Sequence, residues 1–283
     1  VTLPEQAGGA DALARARIDL ASFRARKEAV VGGMVAAHET MFPASGMDFV
    51  KGTARFVGER TVEIALNDGG LRRVRGARGL INTGTTPSVP PIEGLADVPH
   101  WTSEDLLALP ELPDALVVLG GGVIGVEFAS LYATLGSQVT VIEMAPEILP
   151  FMDDDLAAKA RAAMKDVTFE LGCRVESLDG GTVHYSKGEE KLSVEADVVL
   201  MAVGRRPATE GWGAKEAGLE INRGIVVDDT MRTNLPNVWA IGDVTGRSLL
   251  AHAAYRMAEI ASANILDPSA KKRGEVMRWH TVP

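Results

Sequence analysis

The stretch ALVVLGGGVIGVEFASLYATLGSQVTVIE, residues 115–143, decides the fold class of this chain. It opens with a continuous apolar run, 115–120, which is typical of a parallel strand covered on both faces. A glycine turn, a predicted helix over 126–136 that ends at a glycine, and a predicted strand over 138–143 follow. Strand, helix and strand in this order predict an α/β unit with a parallel sheet.

The turn has the pattern G-x-G-x-x-G, with its glycines at Gly120, Gly122 and Gly125. The first glycine allows the tight turn, the second lets the backbone approach a pyrophosphate, and the third permits close packing of helix on strand. The pyrophosphate would lie on free N–H groups at the helix start, so Val123 and Ile124 are counted with the site. An ordinary strand–helix turn is the alternative interpretation.

Glu143 closes the next predicted strand, eighteen residues after Gly125. Its carboxylate is placed to accept hydrogen bonds from the two adenosine-ribose hydroxyls of a dinucleotide. The same charge would repel a 2′-phosphate, and Met-Ala-Pro at 144–146 supplies no arginine to bind one. The pattern therefore favours NAD(H) over NADP(H), with a solvated strand end as the alternative for Glu143.

Composition narrows the possible partners. The 283 residues carry a formal net charge of −9 and a sequence pI near 5.2, which argues against nucleic acid and against an anionic membrane surface. One cysteine cannot form an internal disulfide, a C-x-x-C pair or a four-thiolate metal site, so no metal is expected. No apolar run reaches membrane-spanning length, and no targeting segment is evident at the start, so a cytoplasmic location is expected.

Other elements follow from periodicity and turn residues. The patterns predict helices over 11–40, which Gly32-Gly33 could interrupt, over 153–164 and over 251–265. They predict strands over 49–58, 60–66, 79–84, 224–228 and 238–243, and a hairpin that turns near 187–189. Cys173, at the end of a predicted strand, is interpreted as a small core or loop residue.

Three further segments carry a resemblance: INTGTTPSVPPIEGL (81–95), VLMAVGRRPATEG (199–211) and TNLPNVWAIGDVTGRSLLAHAA (233–254). Together with the glycine turn, their order and spacing resemble the FAD/NAD pyridine-nucleotide disulfide oxidoreductases. Within that family the chain is most similar to the dihydrolipoyl dehydrogenases, followed by relatives of the mercuric-reductase type.

The resemblance implies roles for residues that the glycine turn does not cover. Gly242 and Asp243 match the turn whose aspartate binds the ribityl chain of FAD. Thr83 and Gly84 match a turn close to the flavin, where the chain crosses from the FAD domain to the NAD domain. Gly204 matches a backbone position near the bound nicotinamide half.

Two helix starts complete the implied site. Leu250, Ala251 and His252 match the helix start whose N–H groups and dipole face the flavin and stabilise its reduced, negatively charged form. Glu127 matches a glutamate near flavin and nicotinamide, and its alternative is a carboxylate that stabilises the helix dipole.

The resemblance also implies an architecture of two Rossmann-like, doubly wound domains, in which a complete NAD-binding domain is inserted into an incomplete FAD-binding domain. The expected segments are a partial FAD-binding domain over 1–113, the NAD-binding domain over 114–235, the return to the FAD-binding domain over 236–276, and the start of an interface domain over 277–283.

Several family features do not occur in this sequence. The family's first glycine-rich turn, which binds the FAD pyrophosphate, its C-x4-C redox disulfide and its catalytic histidine have no counterpart here. We therefore expect the chain to be part of a longer enzyme, trimmed at both ends, and assign no catalytic residue. The implied full enzyme passes electrons from a dithiol such as dihydrolipoamide to NAD⁺ through FAD and is a homodimer; a metal-ion or quinone acceptor and a non-catalytic nucleotide-binding module are the alternatives.

Overall fold

The computed structural model describes residues 20–98, 100–267, 269 and 275–279. The contacts divide the chain into two compact units. The first unit holds the described residues up to Met47 together with Val89–Gly204, and the second holds Asp48–Ser88 together with the described residues from Arg205 onward.

The helices within the described residues are α1 (Leu20–Ala44), α2 (Ser103–Leu106), α3 (Val123–Leu135), α4 (Asp154–Ala163) and α5 (Ala251–Leu266). The strands are β1 (Gly52–Gly58), β2 (Thr61–Leu66), β3 (Leu71–Arg75), β4 (Gly79–Ile81), β5 (Thr85–Pro87), β6 (His100–Trp101), β7 (Ala115–Leu119), β8 (Gln138–Glu143), β9 (Val167–Leu171), β10 (Cys173–Asp179), β11 (Thr182–Lys187), β12 (Glu190–Glu195), β13 (Val198–Met201), β14 (Arg205–Pro207), β15 (Ile221–Asn222), β16 (Gly224–Ile225) and β17 (Val238–Ala240).

A five-stranded sheet organises the first unit. Its order is β6-β13-β7-β8-β9, and every neighbouring pair is parallel. The central strand β7 is buried over Leu116–Leu119, as the continuous apolar run predicts. The predicted α/β class with a parallel sheet is confirmed.

Helix α3 follows β7 and begins earlier than predicted. It starts at Val123 rather than at residue 126, because Gly122 is its N-cap and accepts the N–H of Val126 at 2.9 Å. It ends, as predicted, at Gly136 in the left-handed conformation. The hydroxyl of Tyr132 on its buried face donates to Leu106 O at 2.7 Å, and burial raises the pKa of Tyr132 to about 12.

A three-stranded antiparallel sheet, β10-β11-β12, completes the first unit. The predicted hairpin is confirmed, with β11 and β12 joined through Gly188-Glu189. Cys173, at the start of β10, is 1% exposed and belongs to the core that includes Leu119. Burial raises the pKa of its thiol, and these findings agree with its interpretation as a core residue.

Helix α1 differs from its prediction in two ways. It runs without interruption through Gly32 and Gly33, so the predicted break is wrong, and it extends to Ala44. None of its residues is buried, and Met34 near its middle is 60% exposed. Residues 11–19 of the predicted helix lie outside the described residues. Among the described residues no helix is long and apolar enough to cross a membrane.

The second unit is built around the parallel pair β4 and β17. Helix α5 packs Met257 and Ile260 into a core that contains Trp239 of β17. The predicted strand over 238–243 ends at Ala240, because Gly242 begins a 3₁₀ turn, and the one over 224–228 is reduced to Gly224–Ile225.

A second, antiparallel sheet of this unit has the order β1-β2-β3. Strand β3, LRRVR, was not predicted because all five of its residues are exposed and three are arginines. In the middle strand, Glu63 lies between Arg55 and Arg73 on its neighbours, with guanidinium–carboxylate distances of 2.7 and 2.8 Å. The Glu63 side chain is only 7% exposed, and the hydrogen bonds from Arg55 and Arg73 lower its pKa from the usual 4.5.

This pair of contacts predicts an acid-dependent part of the stability. Since the folded-state pKa of Glu63 is depressed, its contribution is present above pH 4.5 and is lost as the pH falls through the folded-state value. We expect the thermal midpoint to fall more steeply for the unmodified chain than for Glu63→Gln between about pH 6 and about pH 3. Glu59→Gln, at a glutamate that is 72% exposed, is the control. Parallel pH curves for the unmodified chain and Glu63→Gln would contradict this.

Candidate nucleotide site

The glycine turn is set by two close backbone approaches. Gly120 has φ +109°, and a β-carbon there would come within 2.6 Å of the carbonyl oxygen of Ala202, which follows β13. A β-carbon at Gly125 would overlap the carbonyl oxygen of Gly120. Only glycine fits at either position, because one needs a left-handed backbone and both lie against main chain.

Gly122 is free of both constraints. Its backbone is extended, with φ −73°, and a β-carbon built there meets no atom of the described residues within 4 Å. The middle of the turn therefore faces open space and is not filled by a side chain. A glycine that neither the backbone nor the packing requires fits a position that a diphosphate approaches closely.

Glu143 is directed at this turn. Its Oε2 accepts the N–H of Gly121 at 2.5 Å, and its Oε1 accepts the N–H of Ala145 at 2.7 Å. The carboxylate is thereby fixed beside the turn at the carboxyl end of β8, where ligands bind in open α/β sheets. A carboxylate offers about four lone-pair positions, so two hydrogen bonds leave capacity for hydroxyl donors.

The start of α3 faces the same region. Val123 and Ile124 occupy its first turn, where N–H groups have no partner within a helix. Glu127 is exposed and is the fifth helical residue rather than a residue of the first turn. Because the dipole effect fades beyond the first turn, this placement weakens the interpretation of Glu127 as a dipole-stabilising carboxylate.

The segment after Glu143 forms a wall of the site that the motif did not predict. Leu149 N–H donates to Gly121 O at 2.8 Å, and Ile148 Cγ2 lies 3.1 Å from the position of a β-carbon on Gly121. Both side chains are buried. Apart from these two apolar residues shortly after the acidic strand end, the sequence gives no signal for this contact.

Gly204 lies in the same unit, two residues beyond Ala202. It is exposed, with φ +109°, and within the part of the chain that the structure describes a β-carbon there would meet no atom within 4 Å. The structure thus brings Gly204 to the end of β13, near the carbonyl that approaches Gly120. Its role toward a nicotinamide stays a prediction.

The remaining candidates lie in the second unit. Thr85 Oγ1 donates to Asp243 Oδ2 at 3.4 Å and accepts Arg205 Nε at 2.8 Å, so Asp243 lies next to the 83–85 turn. Thr83 Oγ1 donates to Ala208 O at 2.9 Å, which fixes that turn, and Gly84 accepts the N–H of Ala208. Gly242 begins the 3₁₀ turn that carries Asp243.

The start of α5 is open. Leu250 is its N-cap, and Leu250, Ala251 and His252 are exposed. Ala254 N–H donates to Leu250 O at 3.0 Å, so the N–H groups of the first turn precede the intrahelical ladder. This arrangement suits a negatively charged group, as the predicted role requires.

The family model described as pyridine nucleotide-disulphide oxidoreductase matches residues 5–258. The chain belongs to this family. The membership inferred from the ordered motifs is thus confirmed, and a family of this description works with a pyridine nucleotide.

Individual relatives narrow the comparison. The chain is 37% identical over 252 residues to a dihydrolipoamide dehydrogenase of Chaetomium thermophilum, covering 84% of this chain and 49% of the relative. It is 35% identical over 253 residues to a dihydrolipoyl dehydrogenase of Bacillus subtilis, covering 87% and 55%. It is also 37% identical over 231 residues to a mercuric reductase of Acidithiobacillus ferrooxidans, covering 78% and 41%.

A solved structure agrees with these relatives. The Cu(II) complex of the HOCl-induced flavoprotein disulfide reductase RclA from Escherichia coli matches with a TM-score of 0.79 and 33% identity, over 86% of this chain and 56% of that one. A flavoprotein with this fold agrees with FAD as the second predicted cofactor. The chain spans about half the length of the curated relatives named above.

The two kinds of glycine in the turn predict different effects on stability. Gly125→Ala forces a β-carbon onto the Gly120 carbonyl, and we expect a loss of about 1–3 kcal/mol in the free energy of unfolding, as for other overpacked sites. Gly122→Ala is the matched control, because its β-carbon meets open space and only an N-cap preference of less than about 1 kcal/mol is at stake. Urea denaturation measures both, and equal losses would contradict the geometry of the turn.

Proposed function

We propose that this chain supplies the NAD(H)-binding unit, and part of the flavin site, of an oxidoreductase of the dihydrolipoyl dehydrogenase type. The observation that carries the proposal is the open Gly122 turn with the Glu143 carboxylate held beside it on the Gly121 N–H. Identity of 35–37% to curated dihydrolipoyl dehydrogenases supports the choice of activity class.

The proposed nucleotide site has three parts. The Gly120–Gly125 turn and the first-turn N–H groups of α3 hold the diphosphate, since these groups need an acceptor and the turn leaves room for one. Glu143 accepts the hydroxyls of the adenosine ribose with the lone pairs that the two backbone N–H groups leave over. Its charge, with no cation at 144–146, selects NAD(H) over NADP(H).

The second unit fits part of a flavin site. Asp243 beside the 83–85 turn would bind the ribityl hydroxyls, and the exposed start of α5 at Leu250–His252 would face a negatively charged edge of the flavin. Gly204 would lie near the nicotinamide half and Glu127 near both rings. When both cofactors are bound, they supply hydride transfer between the nicotinamide and the flavin. The protein contributes position and electrostatics.

For the complete enzyme we propose a dithiol or a lipoyl group as the electron donor, a homodimeric assembly and a cytoplasmic location. The charge of −9 supports partners other than nucleic acid and anionic membranes. Mercuric-reductase-type chemistry is the second candidate, supported by the 37% identity to the Acidithiobacillus protein.

The assignment of Glu143 predicts a loss of nucleotide affinity. Glu143→Ala removes a charged acceptor of ribose hydroxyls, and we expect NADH binding to weaken by about 1–3 kcal/mol. Binding of NADPH should weaken less, because the variant also removes repulsion of the 2′-phosphate. Titration calorimetry measures both affinities. Glu189→Ala, at an exposed glutamate of the β11–β12 turn, is the control.

A second variant tests the site without removing the hydrogen bonds that Glu143 makes to the backbone. Gly122→Ala leaves Glu143 and its two N–H donors in place and adds only a methyl group toward open space. We expect it to bind NADH more weakly than the unmodified chain while unfolding at nearly the same denaturant concentration. Unchanged NADH affinity in both variants would remove the turn and Glu143 from the site.

The cysteine content predicts that this chain does not turn over a dithiol by itself. A two-thiol redox centre needs two cysteines, and the chain has only Cys173, which is buried. Mixed with dihydrolipoamide, FAD and NAD⁺, the purified chain should bind NADH without sustained NADH formation, followed by absorbance. Visible flavin absorbance in the purified chain would show that the second unit retains FAD. Sustained turnover would contradict the absence of catalytic residues.

A further inference from the structure

Residues 144–152, here called the clasp segment, join Glu143 to the helix α4 region. The clasp segment contains neither helix nor strand, yet it makes hydrogen bonds to two groups of the proposed nucleotide site. The N–H of Ala145 donates a hydrogen bond to Oε1 of Glu143 at 2.7 Å, and the N–H of Leu149 donates one to the carbonyl oxygen of Gly121 at 2.8 Å. A shift of the clasp segment would therefore move both the ribose-binding carboxylate and the glycine turn.

The clasp segment needs support from outside itself. Leu149 has φ +51°, a left-handed conformation that is unfavourable for a residue with a β-carbon and persists only where the surroundings hold it. Ile148 and Leu149 are buried in a small cluster with Ala157 of α4, which supplies part of this support. Five partly buried apolar residues pack against this cluster: Val126, Ala160, Met164, Phe169 and Leu171.

A bidentate ion pair also links the clasp segment to α4. Arg161 of α4 donates from Nε to Oε1 of Glu147 at 2.8 Å and from Nη2 to Oε2 at 2.9 Å. Glu147 Oε1 also accepts the N–H of Ile148 at 2.9 Å, so the guanidinium and the clasp backbone share one carboxylate. Two parallel hydrogen bonds define an orientation that a single contact does not.

The pair is sheltered and ionised. The Glu147 side chain is 19% exposed and that of Arg161 is 37% exposed. Hydrogen bonding from Arg161 lowers the pKa of Glu147, and hydrogen bonding to Glu147 raises the pKa of Arg161. Both shifts favour the charged forms, so the contact persists at neutral pH.

We propose that Arg161 is a positioning residue for the nucleotide site: through Glu147 it holds the clasp segment, and thereby Glu143 and Gly121, in the arrangement that binds the ADP-ribose half of NAD(H). This inference rests on the proposed function and adds a residue that touches no part of the ligand. In the proposed site Glu143 binds the adenosine ribose, so we expect the effect of Arg161 to be specific to the ADP-ribose half.

The test compares two halves of the ligand. Arg161→Met keeps the aliphatic bulk of the side chain and removes its charge. We expect its affinity for ADP-ribose and for NADH to fall about three- to tenfold, the range for losing a partly exposed, bidentate pair. Its affinity for nicotinamide mononucleotide should stay within about twofold, because that ligand lacks the adenosine ribose that Glu143 binds. Titration calorimetry with the 283-residue chain gives all three values.

Three further variants separate positioning from general loss of structure. Arg161→Lys keeps the charge without the bidentate geometry and should recover part of the affinity. Glu147→Gln combined with Arg161→Met should lose no more affinity than Arg161→Met does, because both act through one contact. Lys191→Met removes the exposed Lys191–Glu176 pair of the β10–β12 sheet and should leave ADP-ribose affinity unchanged.

Three results would overturn the inference about Arg161. Wild-type affinity of Arg161→Met for ADP-ribose would overturn the inference, and so would equal losses for ADP-ribose and nicotinamide mononucleotide. A loss in Lys191→Met as large as that in Arg161→Met would overturn it as well. If the unmodified chain binds neither NADH nor ADP-ribose, the proposed function fails, and this inference fails with it.

Discussion

The approach of helix α3 to the glycine turn is the contact on which the first unit depends. The carbonyl of Gly120 and the α-carbon of Gly125 lie so close that no β-carbon fits between them. This contact holds the first turns of α3 against the end of β7. The parallel sheet beneath it, the Glu143 carboxylate at the end of the next strand and the open side of the turn all take their places relative to that contact.

Parts of this arrangement follow from sequence because they depend on local chain geometry. Local sequence patterns predicted three of its features: the apolar strand before the turn, the glycine that ends α3, and the acidic residue at the end of β8. The start of α3 was predicted three residues late, because Gly122 gives no side-chain cap and its N-cap role depends only on its carbonyl. Glycine signals a turn without stating where the helix begins.

Other parts depend on partners far apart in sequence. Strand β3 is exposed and arginine-rich, so no alternation marks it, and its place in the sheet comes from pairing with β2. Glu63 looks like any surface glutamate until Arg55 and Arg73 flank it. The Glu147–Arg161 pair joins residues 14 positions apart, one before α4 and one within it, and has no recognisable spacing. The candidate site residues of the second unit were assigned only through the family resemblance, since a threonine–glycine turn and an exposed helix start are common in unrelated proteins.

The difference between Gly122 and its two neighbours in the motif has an evolutionary consequence. Gly120 and Gly125 are demanded by the chain itself, and any descendant of this fold must keep them. Neither the backbone nor the packing demands Gly122, and in the proposed function the diphosphate is what requires it. A lineage that stopped using a dinucleotide could accumulate larger residues at this one place and lose nothing else. Across homologous sequences, the middle glycine would therefore record retained ligand use, whereas the outer two record only common descent.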